Sequence, residues 1–108
     1  MTNIILYAKK DGTIFGLQSK GHAGFGMRGT DVVCASVSIL VINTINSIQK
    51  LTSDKCNEKV NSRKATIDFE IDGDVSPQSA LLFKSLKLGL EGIAAEYPGN
   101  VKITVEEV

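Results

Sequence analysis

Apolar and polar residues alternate in two short runs at the start of the chain, and this spacing predicts a β-hairpin. The runs are NIILYAK at residues 3–9 and TIFGLQ at residues 13–18. Lys10, Asp11 and Gly12 lie between them, and an Asp-Gly pair favours a tight turn between antiparallel strands. The chain is therefore expected to open with two paired strands.

A helical period follows. From Asp31 to about Leu51, apolar residues recur every three or four positions, and Thr30 or Asp31 is the expected N-cap. The residues that this spacing assigns to the core are Val33, Val37, Leu40, Val41, Ile45 and Ile48. Ile39 and Ile42 widen the apolar stripe beyond one face, so a second surface is needed to cover it. We therefore expect a homodimer.

The polar segment 52–64 predicts a loop, with a short edge strand possible near Glu58 to Ser62. The alternating run ATIDFEID at residues 65–72 then predicts a strand that ends at Gly73 and Asp74.

The last part of the chain predicts a helix and a strand. Ser76 and Pro77 form an N-cap and first-turn pair, and a helical period runs from there to Tyr97. Its apolar residues are Leu81, Leu82, Leu86, Leu90, Ile93 and Ala94. VKITVEE at 101–107 is the final strand. The chain thus predicts one α/β domain over residues 1–108, a two-layer α+β fold in which two helices pack on one face of a mixed sheet, in the order ββα(β)βαβ.

Composition narrows the classes of partner. Twelve Lys and Arg residues balance twelve Asp and Glu residues among 108. No net field then attracts nucleic acid or a membrane surface, and neither is expected as a direct partner. The start of the chain lacks the pattern of a secretion signal, and the apolar run from Val32 to Ile42 is well short of a membrane span. A cytoplasmic protein is expected.

Candidate chemistry lies in the glycine-rich run GHAGFGMRGTDVVC between the hairpin and the first helix. The only histidine, His22, opens this run and Cys34 ends it. An imidazole can take the proton of a thiol, and a helix N-terminus favours the thiolate. If Asp31 caps the helix, Cys34 is its third residue, among unpaired N–H groups that could also bind an oxyanion. Asp31 could orient the imidazole or act only as a cap.

Other interpretations of these residues remain open. GFGMRG satisfies the GxGxxG pattern of dinucleotide-binding turns, but the parallel strand and acidic residue that such a site needs do not follow. Two cysteines and one histidine fall short of the usual four ligands of a structural metal, so no metal or other cofactor is expected. Cys34 could be an inert core thiol, or it could form a redox pair with Cys56.

The run GHAGFGMRGTDVVCASVS resembles the signature of the ribosomal-processing cysteine protease family, Prp: Gly-His-Ala, a glycine-containing loop, then Asp, two aliphatic residues, Cys, Ala and a later Ser. The resemblance implies a small dimeric α/β protein with His22 and Cys34 as its catalytic dyad. The other residues that fall on motif positions are Asp31, Gly21, Gly26, Gly29 and Ser38.

By the same resemblance, the expected activity is removal of the short N-terminal extension of a large-subunit ribosomal protein through an acyl-enzyme. The alternative is a non-catalytic ribosome-assembly or peptide-binding factor on the same scaffold. The glycine-rich loop is expected to act as a lid over the bound peptide.

Overall fold

The structure, a computed structural model, describes residues 1–21 and 28–108, with the side chains of residues 1–21 and 32–108. The elements are β1 (Thr2–Ala8), β2 (Ile14–Lys20), α1 (Arg28–Leu51), β3 (Cys56–Asn61), β4 (Thr66–Ile71), α2 (Pro77–Glu96) and β5 (Val101–Glu107). This order and the mixed sheet confirm the predicted fold class, including the short strand before residue 65.

The five strands form one sheet in the order β3-β4-β2-β1-β5. The pair β1–β5 is parallel, and every other neighbouring pair is antiparallel. Along β1, alternate residues are buried while those between them are more exposed. This period of two shows that one face of the sheet is covered and the other is not. The predicted opening hairpin is confirmed, with Asp11 and Gly12 in its turn.

One row of α1 lies in the hydrophobic core. Its fully buried members are Val33, Val37, Val41, Ile45 and Ile48, all at most 2% exposed. The segment Val32–Leu51 is long and apolar enough to cross a membrane by length and composition alone. Because its buried row packs into the same core as β1 and α2, it is the core helix of this fold. Leu40 lies against Gly89, where an added Cβ would be 2.9 Å from a Leu40 methyl carbon, so glycine permits close approach of the two helices.

The second helix begins and ends close to the prediction. Ser76 is its N-cap, with a hydroxyl that accepts from the Ser79 N–H at 3.1 Å, and Tyr97 is its C-cap. Not every residue of the apolar period faces the core, because Leu81 is 67% exposed. Phe83 and Ser79 are fully buried instead. Because the polar residue Ser79 lies on the core face, counting apolar positions did not show which face of α2 is buried.

The start of α1 is also different from the prediction. The helix begins at Arg28, whereas the sequence placed the N-cap at Thr30 or Asp31. Gly29 does not prevent this earlier start, because one glycine inside a helix costs only about 1 kcal/mol and Arg28 is a good helix former. Asp31 is therefore within the first turns of α1 and is not its cap.

Candidate active site

Cys34 lies at the edge of a groove of about 240 Å³ between α1 and the β3–β4 hairpin. Its side chain is half-buried, so the thiol belongs neither to the dry core nor to the open surface. Ser38, one helical turn later on α1, lines the same groove. The other described residues that line it are Ser19, Gly21, Val60, Asn61, Ser62, Ala65, Thr66 and Ile67. The groove contains three of the residues assigned to the site from the sequence, namely Gly21, Cys34 and Ser38.

Gly21 holds the end of β2 against the hairpin turn. Its N–H donates to the carbonyl of Ala65 at 3.1 Å, and its φ of +97° lies in the region that favours glycine. A Cβ at this position would also lie 2.8 Å from the carbonyl oxygen of Met1. The backbone therefore requires glycine here, independently of any contact with a ligand.

The position of Cys34 within its helix corrects the expected source of thiolate stabilisation. Counting Arg28 as the first residue, Cys34 is the seventh residue of α1 and not the third. The unpaired N–H groups of a helix lie within its first turn, and the effect of the helix dipole falls off over the same distance. Cys34 is about one turn, or roughly 5 Å, beyond those groups. The N-terminus of α1 is therefore farther from Cys34 than the sequence predicted.

The remaining site residues from the sequence fall partly or wholly outside the described part. His22 and Gly26 lie outside the described residues. The backbone of Gly29 and Asp31 is helical, within α1, and the Asp31 side chain is not among the described side chains. The His22–Cys34 pair and the lid therefore stay predictions.

Sequence reasoning missed the hairpin side of the groove. Val60, Asn61 and Ala65 come from the end of β3 and the turn that follows it. Ser19 completes the wall from β2, where it shares the helix-facing side of the sheet with Leu17. The available signal was this serine at a position where the alternation of β2 predicts an apolar residue.

Cys56 is at the opposite end of β3 from the groove. Its Sγ donates to the backbone carbonyl of Asp54 at 3.4 Å. Burial, and then the negative charges of Asp54 and Glu58, raise the pKa of the Cys56 thiol. Both cysteines are free thiols. Cys56 therefore lacks the environment of a reactive cysteine.

Hollows of about 600 and 460 Å³, each larger than the Cys34 groove, lie mainly on the uncovered face of the sheet. Neither hollow is lined by a cysteine. The candidate active site is therefore identified by the position of the Cys34 thiol and not by the volume of the hollow. The larger one shares Val60, Asn61 and Thr66 with the Cys34 groove. Its other lining residues include Lys20, Lys59 and Lys64, which border the groove with positive charge. Among the described side chains, no group of three or more His, Cys, Asp or Glu could hold a metal ion.

A comparison with protein families matches residues 1–102 to the family described as cysteine protease Prp. The chain belongs to the cysteine protease Prp family. This confirms both the resemblance seen in the glycine-rich run and the prediction of a cysteine protease.

Two curated Prp relatives support the assignment over most of their length. The ribosomal processing cysteine protease Prp of Mycoplasma genitalium is 30% identical over 90 residues, 83% of this chain and 87% of that protein. The Bacillus subtilis protein of the same name is 26% identical over 98 residues, 87% of this chain and 88% of its own.

Solved Prp structures have the same fold. The Staphylococcus aureus protease in complex with a substrate peptide superposes with a TM-score of 0.89 at 21% identity, covering 98% of this chain and all of that one. The same protease with a covalently linked product peptide gives 0.88 at 22% identity, with the same coverage. At these identities the similarity establishes the architecture alone.

Proposed function

We propose that this protein is an endopeptidase that removes the short N-terminal extension of a large-subunit ribosomal protein. The observation that carries the proposal is the half-buried Cys34 thiol beside an open groove, in a chain of the Prp family. An extended peptide can reach the sulfur there, which it could not do if the thiol were sealed in the core.

The proposed chemistry uses a Cys34–His22 dyad. His22 takes the proton of Cys34, and the thiolate attacks the scissile carbonyl carbon. His22 then gives the proton to the leaving amine as the peptide bond breaks and a thioester forms. Water, deprotonated by His22, attacks the thioester and releases a carboxylate and the free thiol. Because Cys34 lies about one turn beyond the unpaired N–H groups of α1, the imidazole has the larger share in activating it.

The remaining residues have supporting roles in this proposal. Asp31 would orient the His22 imidazole, while Gly21, Gly26, Gly29 and Ser38 would contact the peptide or shape its path. Gly21 and Ser38 line the groove, which supports their part of the assignment.

The test is cleavage of a synthetic peptide that reproduces the extension, followed by mass spectrometry. We expect Cys34→Ala and His22→Ala each to lower the rate by roughly 10³-fold or more, with the fold intact by circular dichroism. Cys56→Ala is the matched control and should retain cleavage. Cleavage that survives Cys34→Ala refutes the mechanism. Binding of the peptide without cleavage by the unmodified protein indicates the alternative, a non-catalytic ribosome-assembly or peptide-binding factor.

We also propose that the protein is a homodimer joined through the outer face of α1. Ile39 and Ile42 are 67% and 47% exposed, and Val32 and Ala35 precede them on the same face. The intervals of three, four and three residues form an apolar seam of the kind that packs against another helix.

Light scattering on the purified protein tests the dimer. Ile39→Asp should give a monomer, because it places a charge in the seam. Leu88→Asp, at a 73% exposed leucine on α2, is the matched control and should keep the dimer mass. A monomeric unmodified protein at micromolar concentration refutes this proposal.

The other parts of the proposal concern organisation and location. One protease domain over residues 1–108 would act in the cytoplasm, where ribosomal proteins are made. It would need no cofactor or metal and would bind neither nucleic acid nor membrane directly. The zero net charge of the chain supports the last point.

A further inference from the structure

Among the described residues, 1–21 and 28–108, strand β3 is an edge of the sheet, and its pattern of hydrogen bonds leaves three residues with outward-facing backbone groups. The Lys55 carbonyl accepts from the Asp72 N–H at 2.8 Å, which fixes the parity of the antiparallel β3–β4 pair. The residues whose backbone groups face β4 are Asn57, Lys59 and Asn61. Those whose N–H and C=O face away from the sheet are Cys56, Glu58 and Val60.

The outward edge is accessible along most of β3. Every residue from Asn57 to Asn61 is exposed. The charged pair Glu58 and Lys59 is typical of edges that avoid uncontrolled pairing with other copies. An exposed edge that carries charged side chains can still pair with one particular partner strand while it avoids pairing with other copies of the chain.

The same edge adjoins the groove of Cys34. Val60 pairs with Ile67 in the register, and both line the groove. Ile67 is partly buried, but Val60 is 64% exposed. The exposed Val60 side chain therefore lies between the outward-facing backbone of β3 and the groove that holds the Cys34 thiol. The other edge strand, β5, is separated from β3 by three strands, so of the two edges of the described sheet it is the β3 edge that adjoins this groove.

We propose that the edge of β3 is the docking strand for the substrate, which adds to the sheet as an extended sixth strand. Its backbone pairs with the outward N–H and C=O groups of Glu58 and Val60, and the chain then continues over the Val60 side chain to Cys34. This inference rests on the proposed protease function and deepens it. Strand addition obtains affinity from the peptide main chain, while alternate side chains supply specificity.

Binding is measured on Cys34→Ala protein by fluorescence anisotropy, so the result does not depend on cleavage. The probe is a fluorescein-labelled peptide that reproduces the extension and its cleavage site. Glu58→Pro removes an outward N–H without removing a β3–β4 hydrogen bond, and proline is tolerated on an edge strand. Glu58→Ala is the matched reference, since it removes the same side chain and keeps the N–H. We expect Glu58→Pro to bind roughly tenfold more weakly than Glu58→Ala.

A second measurement keeps the inference testable if the proline variant does not fold. Peptides N-methylated at one backbone position at a time should lose affinity at every second position over the paired segment, because only alternate N–H groups face β3. Equal binding by folded Glu58→Pro and Glu58→Ala proteins overturns the docking strand, as does a methylation scan without this alternation. Failure of the unmodified protein to cleave the unlabelled peptide would instead contradict the protease function.

Discussion

The loop between α1 and β3 is joined to the start of α2 through one carboxylate, and its removal should measurably weaken the fold. Oδ2 of Asp54 accepts from the Ser76 N–H at 3.1 Å, the Ser76 hydroxyl at 2.8 Å and the Ser79 hydroxyl at 2.6 Å. Ser79 is completely buried, whereas Asp54 and Ser76 are partly exposed. Asp54→Ala therefore leaves one hydroxyl donor with no access to water.

The magnitude follows from these exposures. Water can replace the two bonds from Ser76, so their loss costs about 1–2 kcal/mol in total. The stranded Ser79 hydroxyl costs about 1–3 kcal/mol more, because a buried donor without a partner bears its desolvation penalty. We expect Asp54→Ala to lower the free energy of unfolding by about 2–4 kcal/mol. The double variant with Ser79→Ala should recover about 1 kcal/mol of this loss, since it removes the stranded group.

The effect should also depend on pH. The hydrogen bond from the Ser79 hydroxyl, followed by those from Ser76, lowers the pKa of Asp54 below its ordinary value. A carboxyl group whose pKa is lower in the folded state stabilises the fold above the unfolded pKa of about 4 and loses this effect as the pH falls through the folded pKa. The difference between the unmodified protein and Asp54→Asn should therefore be full at pH 7 and shrink below about pH 4.

Urea denaturation followed by circular dichroism measures all of these quantities. Ser53→Ala, which removes an exposed hydroxyl next to Asp54, is the control and should change the free energy of unfolding by less than about 0.5 kcal/mol. If Asp54→Ala is no more destabilising than Ser53→Ala at pH 7, the account of this junction is wrong.

Three further predictions concern single positions. Gly16→Ala should cost about 1–3 kcal/mol in urea denaturation, because its Cβ would lie 2.6 Å from the Phe69 carbonyl oxygen; an unchanged midpoint contradicts this. Ala65→Gly should raise the free energy of unfolding by roughly 0.5 kcal/mol, since Ala65 has a φ of +52°, and a loss would contradict it. Iodoacetamide at pH 7.5 should label Cys34 before Cys56, whose pKa is raised by burial and by nearby carboxylates, as peptide mass mapping would show.

Local signals made most of the fold predictable. The Asp-Gly turn located the hairpin, and the adjacent pair Ser76 and Pro77 located the start of α2, because each signal acts within a few residues. The start of α1 was not predictable in this way. Gly29 is a weak obstacle to a helix, and neighbouring residues with good helical propensity outweighed it.

The site was predictable only on its α1 side. Cys34 and Ser38 are four residues apart on one helix, so the sequence alone placed them together. Val60 and Ala65 join them through pairing of β3 with β4 and of β4 with β2, which depends on sheet order and leaves no local trace. The same holds for Ser79, whose burial makes sense only once Asp54 has been brought beside it.

The parallel pairing of β1 with β5 has a consequence for biosynthesis. Thr2 pairs with Val101 and Ala8 with Glu107, so β1 needs as its neighbour a strand that is synthesised only after α2. A nascent chain can form the opening hairpin early, but β1 stays open on one side until its C-terminal partner has left the ribosome. Partial chains would expose that open side to aggregation. The amount of folded protein should therefore depend on how many chains are translated through β5. Termination of translation even a few residues before Val101 should yield no stable product.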